Sequence, residues 1–138
     1  MQNREKKVIK KVSIFANTNK AASASLVEAI HNYLHNRGIS DDIYLTNSVD
    51  EITHIDEKTD VAIVLGGDGT VLSCARFLHT KGIAMLAVNL GTFGFITEIC
   101  QDEWLKAFED YENGIAQVSR RLMVRVSVKR NGKKVFQS

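Results

Sequence analysis

The chain has 138 residues, 44% hydrophobic and 25% charged, with a formal net charge of +2. That length suits a single domain, and the near-balanced charge argues against disorder and gives no electrostatic case for nucleic acid or an anionic membrane as a partner. Two cysteines without a CxxC pair fit a reducing cytoplasm, and the longest apolar run, six residues at 83–88, is far below the ~18 needed to span a membrane.

Residues 7–16 read as a first strand centred on Val12-Ser13-Ile14-Phe15-Ala16. Ser25-Leu26-Val27-Glu28 has the spacing of a capping box. Leu26, Ile30, Tyr33 and Leu34 then recur at helical spacing, with Gly38 placed to stop the helix. Ile43-Tyr44-Leu45 is a short second strand. Val61-Ala62-Ile63-Val64-Leu65 is continuously apolar, as a strand buried on both faces of a parallel sheet must be. Gly66-Gly67-Asp68-Gly69-Thr70 follows as a loop, and a helix is expected over 71–81, with Gly82 as its stop. Residues 83–88 form the next buried strand and 89–97 a loop with two glycines. Trp104, Leu105, Phe108 and Tyr111 mark an amphipathic helix with Trp104 as its core anchor and Gly114 at its end. Beyond it the pattern changes to period two. Leu122, Val124, Val126 and Val128 alternate with Arg121, Met123, Arg125 and Ser127, and Asn131-Gly132 supplies a two-residue turn before 133–136. This predicts a half-buried antiparallel hairpin.

The expected fold class is therefore α/β: a three-layer parallel-sheet domain over 1–116, then residues 117–138 as the first hairpin of an incomplete β-rich domain. In such sheets ligands bind beyond the carboxyl ends of the strands. The loops at 66–70 and 89–97 both follow buried strands, so both are expected at that edge. Glycines let a backbone approach a ligand closely, and the start of a helix attracts phosphate. Asp68 is the only acid in the first loop. A carboxylate beside phosphates binds a metal or takes a proton from an attacking hydroxyl; the simpler alternative is a turn that Asp68 caps. A P-loop is excluded because GxxxxGK[ST] is absent. Gly67-Asp68-Gly69 begins a dinucleotide fingerprint, but Leu72 stands at its third glycine and Asn89 where the acidic residue belongs. In the second loop Phe93 reads as core, and Phe95 as either core or an aromatic platform for a base. His31 and His35 share a helix face without a third zinc ligand and read as solvated; Cys74 reads as a small buried residue and Cys100 as a plain thiol near a helix start.

Gly66-Gly67-Asp68-Gly69-Thr70 followed by Asn89-Leu90-Gly91-Thr92-Phe93-Gly94-Phe95-Ile96-Thr97 closely resembles the NAD kinase family. The first motif is shared with diacylglycerol and sphingosine kinases and distantly with phosphofructokinases; the second separates this chain from the lipid kinases. The resemblance implies phosphorylation of the adenosine ribose 2′-hydroxyl of NAD to give NADP. ATP, or polyphosphate in some members, is the donor, with a divalent metal such as Mg2+. It implies that Asp68 accepts the hydroxyl proton, that Gly69 contacts the nucleotide beside it, that Thr70 lines the phosphate side and that Phe95 lies against the adenine. Asn89 joins the candidate substrate-binding residues, as does Ser73, which stands where many bacterial members carry an arginine. No metal ligand is assigned within the chain. The family also carries an Asn-Glu or Asn-Asp pair and a Thr-Gly-Ser-Thr-Ala-Tyr-like segment, and neither occurs in residues 1–138. The chain is therefore expected to correspond to the N-terminal part of such a kinase, inactive alone, cytoplasmic and part of a homo-oligomer, dimer or tetramer. The alternatives are a nucleotide-binding or assembly module without catalysis and, more remotely, a lipid kinase.

Overall fold

Two strands whose every residue is apolar or small need cover on both sides, and the chain provides it. The computed structural model describes residues 5–47, 52, 54–92 and 94–137. Among them, β1 (Lys11–Asn17), β2 (Ser40–Thr46), β3 (Val61–Gly66) and β4 (Ala84–Asn89) form one all-parallel sheet in the order β2-β1-β3-β4. Helices α1 (Ser23–Asn36) and α3 (Trp104–Glu112) cover one face and α2 (Asp68–Leu78) the other. Alternate residues divide between the two cores. Val12, Ile14, Ala16, Ile63 and Leu65 pack with Leu26, Ile30, Leu34 and Phe108, whereas Phe15, Ala62 and Val64 pack with Val71, Cys74 and Leu78. The expected three-layer α/β arrangement is thus the one observed.

Several expectations need correction. The first strand begins at Lys11, four residues later than expected, and the chain before it runs outside the ladder. Helix α1 starts at Ser23 after Ala22, with no side-chain cap; the Ser25 hydroxyl instead donates to the Ala22 carbonyl, so the capping-box spacing forms no capping box. The strand at 84–89 lies at the side of the sheet away from β1, so Met85 is exposed and only Leu86, Val88 and Asn89 are buried. In α3 the fully buried anchor is Phe108; Trp104 is half-buried and packs edge-on to Tyr33. His31 is not simply solvated: its Nδ1 is 2.9 Å from Asp41, whose side chain is nearly buried. Cys74 is buried as expected, and burial pushes its thiol up to about 12.

The carboxy-terminal hairpin is β5 (Ser127–Arg130) and β6 (Lys133–Gln137), joined by Asn131-Gly132 in left-handed conformation, as the two-residue turn requires. Its pairing slips between Val128 and Lys129. The expected half burial is not found. Residues 117–137 are all exposed and 117–126 form no strand, because no other described element covers them. Ser138 lies outside the described residues.

Register aligns the two candidate loops. Gly66 ends β3 opposite Asn89 at the end of β4, so both loops leave the sheet at the same level. The topology reverses between β1 and β3, since β1 is followed by β2 on one side and β3 lies on the other. Such a reversal opens a crevice at the carboxyl edge.

Candidate functional site

Only Gly67 separates β3 from α2. It is extended, and its carbonyl accepts the first helical bond from the Val71 amide. Asp68, Gly69 and Thr70, expected in a loop, are therefore the first turn of the helix. The sharp entry depends on Gly66. A Cβ there would lie 2.8 Å from the Thr70 Cβ, so any side chain would push the helix off the strand end. First-turn amides have no partner within their own helix and leave a partial positive charge at this edge.

A cleft of about 420 Å³ opens at that point, lined by Asn17, Lys20, Asn47, Gly67, Gly69, Thr70 and Ser73. It spans the ends of β1 and β3, at the topological reversal. The Asn17 side chain accepts from the Asn19 amide, and the Thr18 hydroxyl donates to Asn47. The Lys20 ammonium reaches towards the second loop, 3.6 Å from where a Cβ on Gly91 would sit. Composition and motif give no hint of Asn17, Lys20 or Asn47. Their usable signal is position, each lying at or within three residues of the carboxyl end of a strand on the ligand-binding edge.

Asp68 does not line the cleft, and its side chain does not cap its own helix. It crosses to the second loop. Oδ2 accepts from the Phe95 amide at 2.8 Å; Oδ1 accepts from the Ile96 amide at 3.0 Å, the Thr97 amide at 3.1 Å and the Thr97 hydroxyl at 3.2 Å. The amides of Phe95 and Ile96 are the leading cause that holds the carboxyl below its usual range. By linkage this cross-loop contact is at full strength above the ordinary aspartate pKa of ~3.9 and is lost as pH falls through the lower folded value. Gly94 lies against the same carboxylate. A Cβ there would sit 2.7 Å from Oδ2 and 2.5 Å from Cγ, which side-chain carbons do not tolerate.

The other candidates fall in three places. Gly69, Thr70 and Ser73 line the cleft, and a Cβ on Gly69 would meet nothing within 4 Å, so its space is open to a ligand. Phe95 is 93% exposed, which removes the core reading and leaves an aromatic ring presented to solvent on the residue whose amide donates to Asp68. Asn89 is buried. Its Nδ2 donates to the Thr92 carbonyl at 2.7 Å and its Oδ1 accepts from the Gly91 amide at 2.8 Å, so its side chain is committed to shaping the loop. Phe93 lies outside the described residues.

The cleft offers first-turn amides, the Lys20 ammonium and the Thr70 and Ser73 hydroxyls, a set suited to an anion such as phosphate, while the Asp68 carboxylate is bound to the second loop. The profile of the ATP-NAD kinase N-terminal domain matches residues 1–116. The chain belongs to the NAD kinase family. Among its relatives, the NAD kinase of Geotalea daltonii is 35% identical over 134 residues, covering 92% of this chain and 47% of that protein. The NAD kinase of Geobacter sulfurreducens is 49% identical over 76 residues, covering 55% of this chain and 27% of its own. The crystal structure of yeast NADH kinase complexed with NADH superposes with a TM-score of 0.61 at 17% identity, over 96% of this chain and 46% of that one. At that identity the likeness speaks for the fold. The chain spans about half the length of the curated NAD kinases that match it along most of its extent.

Gly69→Ala offers a clean probe of the cleft in this NAD kinase family member. The new methyl meets open space and replaces a helical glycine, so thermal or urea unfolding is expected to show unchanged or slightly higher stability. Nucleotide affinity, read by calorimetry, is expected to fall about tenfold as the methyl occupies ligand space.

Proposed function

We propose that this chain supplies one part of the active site of an NAD kinase, which transfers the γ-phosphoryl group of ATP to the adenosine ribose 2′-hydroxyl of NAD. The observation that carries the reading is the Asp68 carboxylate, held by the backbone of the second loop, including the amide of Phe95, whose side chain is exposed. Phe95 stacks on the adenine, and Asp68 Oδ2 accepts a hydrogen bond from the 2′-hydroxyl. The donor phosphates lie in the cleft against the first turn of α2, with Lys20 supplying positive charge and Thr70 and Ser73 supplying hydroxyls.

Phosphoryl transfer is governed by positioning and charge neutralisation. The ribose oxygen forms its bond to the γ-phosphorus while the bond from phosphorus to the β,γ-bridging oxygen breaks, and ADP leaves with that electron pair. The hydroxyl proton passes to Asp68 and then to water. A carboxyl held this low is a weak base, so its main contribution is to aim the hydroxyl and receive the proton late. A divalent cation such as Mg2+ would arrive with the donor phosphates, since the described residues hold no group of three or more His, Cys, Asp or Glu side chains to bind one. When bound, such an ion neutralises phosphate charge. We place the protein in the cytoplasm, where Cys74 and Cys100 stay reduced.

The test is NADP formation from NAD, ATP and Mg2+, measured on the 138-residue chain and on the polypeptide carried to the end of its reading frame. We expect NADP from the longer polypeptide and little from the shorter one. No NADP from either would end the assignment. One observation favours an assembly role in addition: Val128, Val135 and Phe136 are each about half exposed on a two-stranded hairpin with open edges. That surface fits association with further polypeptide of the same protein or a second copy.

A further inference from the structure

The two oxygens of Asp68 are not equivalent. Oδ1 receives three hydrogen bonds, from the amides of Ile96 and Thr97 and from the Thr97 hydroxyl, whereas Oδ2 receives only that of the Phe95 amide. A carboxylate oxygen has two in-plane acceptor directions. Oδ1 is therefore saturated, and Oδ2 keeps a free direction. Gly94 lies against the same carboxylate: a Cβ there would fall 2.5 Å from Cγ and 2.7 Å from Oδ2, and nearest of all to Oδ1. Thr97 is fully buried, its hydroxyl within reach of Oδ1, and it lies 29 residues from Asp68 in sequence.

We propose that Thr97 is a positioning residue for the phosphoryl-transfer step, its buried hydroxyl locking Asp68 in the rotamer that leaves Oδ2 alone to meet the substrate hydroxyl. The role rests on the NAD kinase reading for its consequence in catalysis, but the lock itself is a property of the folded chain and can be measured without substrate. The Thr97 side chain acts through Asp68 and touches no reacting atom. Its removal should alter how well the hydroxyl is aimed and leave adenine and phosphate binding alone. It also removes one hydrogen bond that favours the charged carboxylate, so the carboxyl should titrate at a higher pH.

The experiment has two arms. In the 138-residue chain, the Asp68 carboxyl carbon is followed by NMR through an acid titration for the wild type, Thr97→Val, Thr97→Ala and Thr97→Ser. The expected result is an upward displacement of the Asp68 titration in the valine and alanine variants and none in the serine variant, which keeps the hydroxyl. Two variants lacking the hydroxyl are used so that one that folds poorly does not decide the outcome. In the polypeptide carried to the end of its reading frame, Thr97→Val is expected to lower kcat about tenfold with KM for NAD unchanged and to move the acid limb of the pH profile upward, while Thr97→Ser restores both. Coincident Asp68 titrations in all four proteins overturn the proposal, as does a loss confined to KM. Absence of NADP formation by the wild type would defeat the functional reading instead, and the titration arm would still judge the lock.

Discussion

Replacing Asp68 by Asn is expected to lower NADP formation about 10²–10⁴-fold, the range over which a positioned proton acceptor contributes, in the polypeptide carried to the end of its reading frame. The substitution is not a silent neutralisation. The amide Oδ1 can face the three donors of Ile96 and Thr97, but Nδ2 then confronts the Phe95 amide, donor against donor, where the wild type places Oδ2 at 2.8 Å. The free direction on Oδ2 that would receive the hydroxyl also becomes an N–H. Turnover should therefore fall much further than NAD affinity. Some affinity is lost as well, because the Phe95 backbone loses its acceptor. The measurement is kcat from NADP formation set beside the NAD dissociation constant from calorimetry. Equal losses in the two quantities would assign Asp68 to binding and remove it from the proton path.

Gly94→Ala attacks the same contact. Its methyl would occupy space 2.7 Å from Asp68 Oδ2 and 2.5 Å from Cγ. One of the two must move: either the Asp68 carboxylate swings aside or the loop at 94–97 shifts, and either motion breaks several of the four bonds onto the carboxylate. A displacement near 1 Å can cost about 10²-fold in rate, and we expect at least that loss of NADP formation. In the 138-residue chain, the amides of Phe95, Ile96 and Thr97 should exchange with deuterium markedly faster in the variant, while amides of β1 and β3 keep their protection. Retention of slow exchange at 95–97 would show that the carboxylate and the loop tolerate the methyl, and that the close approach has no functional weight.

Local and periodic signals carried most of the α/β region. The apolar runs of β1 and β3 could be satisfied only by a sheet covered on both faces, and helix ends followed from Gly38, Gly82 and Gly114, each found at positive φ. The two glycine motifs, in their order and spacing, point to the NAD kinase family, and the family profile bears that out. Sequence patterns failed where a neighbour decided the outcome. Period-two alternation at 121–128 promised a strand with one covered face, yet a face is buried only where something lies on it, and no described element does. Ser25 had the spacing of a cap, but the chain entered the helix three residues earlier and its hydroxyl turned to Ala22.

At the site the division is sharper. The residues 66–70 and 89–97 were recognisable because glycine requirements and an isolated acid are written in local sequence. What that acid does was not. A carboxylate just after Gly-Gly satisfies the preference for a helix cap as readily as any other role, and the choice between them lies in donors supplied from 27 to 29 residues away. Parallel pairing of β3 with β4, which places Gly66 beside Asn89, brings those donors within reach. The same register gave Lys20, Asn17 and Asn47 a place around the cleft and turned Asn89 inward to hold its own loop. Sequence by itself determined the layers, the family and the two glycine loops that end the buried strands, because these follow from periodicity and from short-range backbone demands. Only the tertiary structure decided which way Asp68 points and which of its oxygens is free, because both depend on long-range register and close packing that no local pattern encodes.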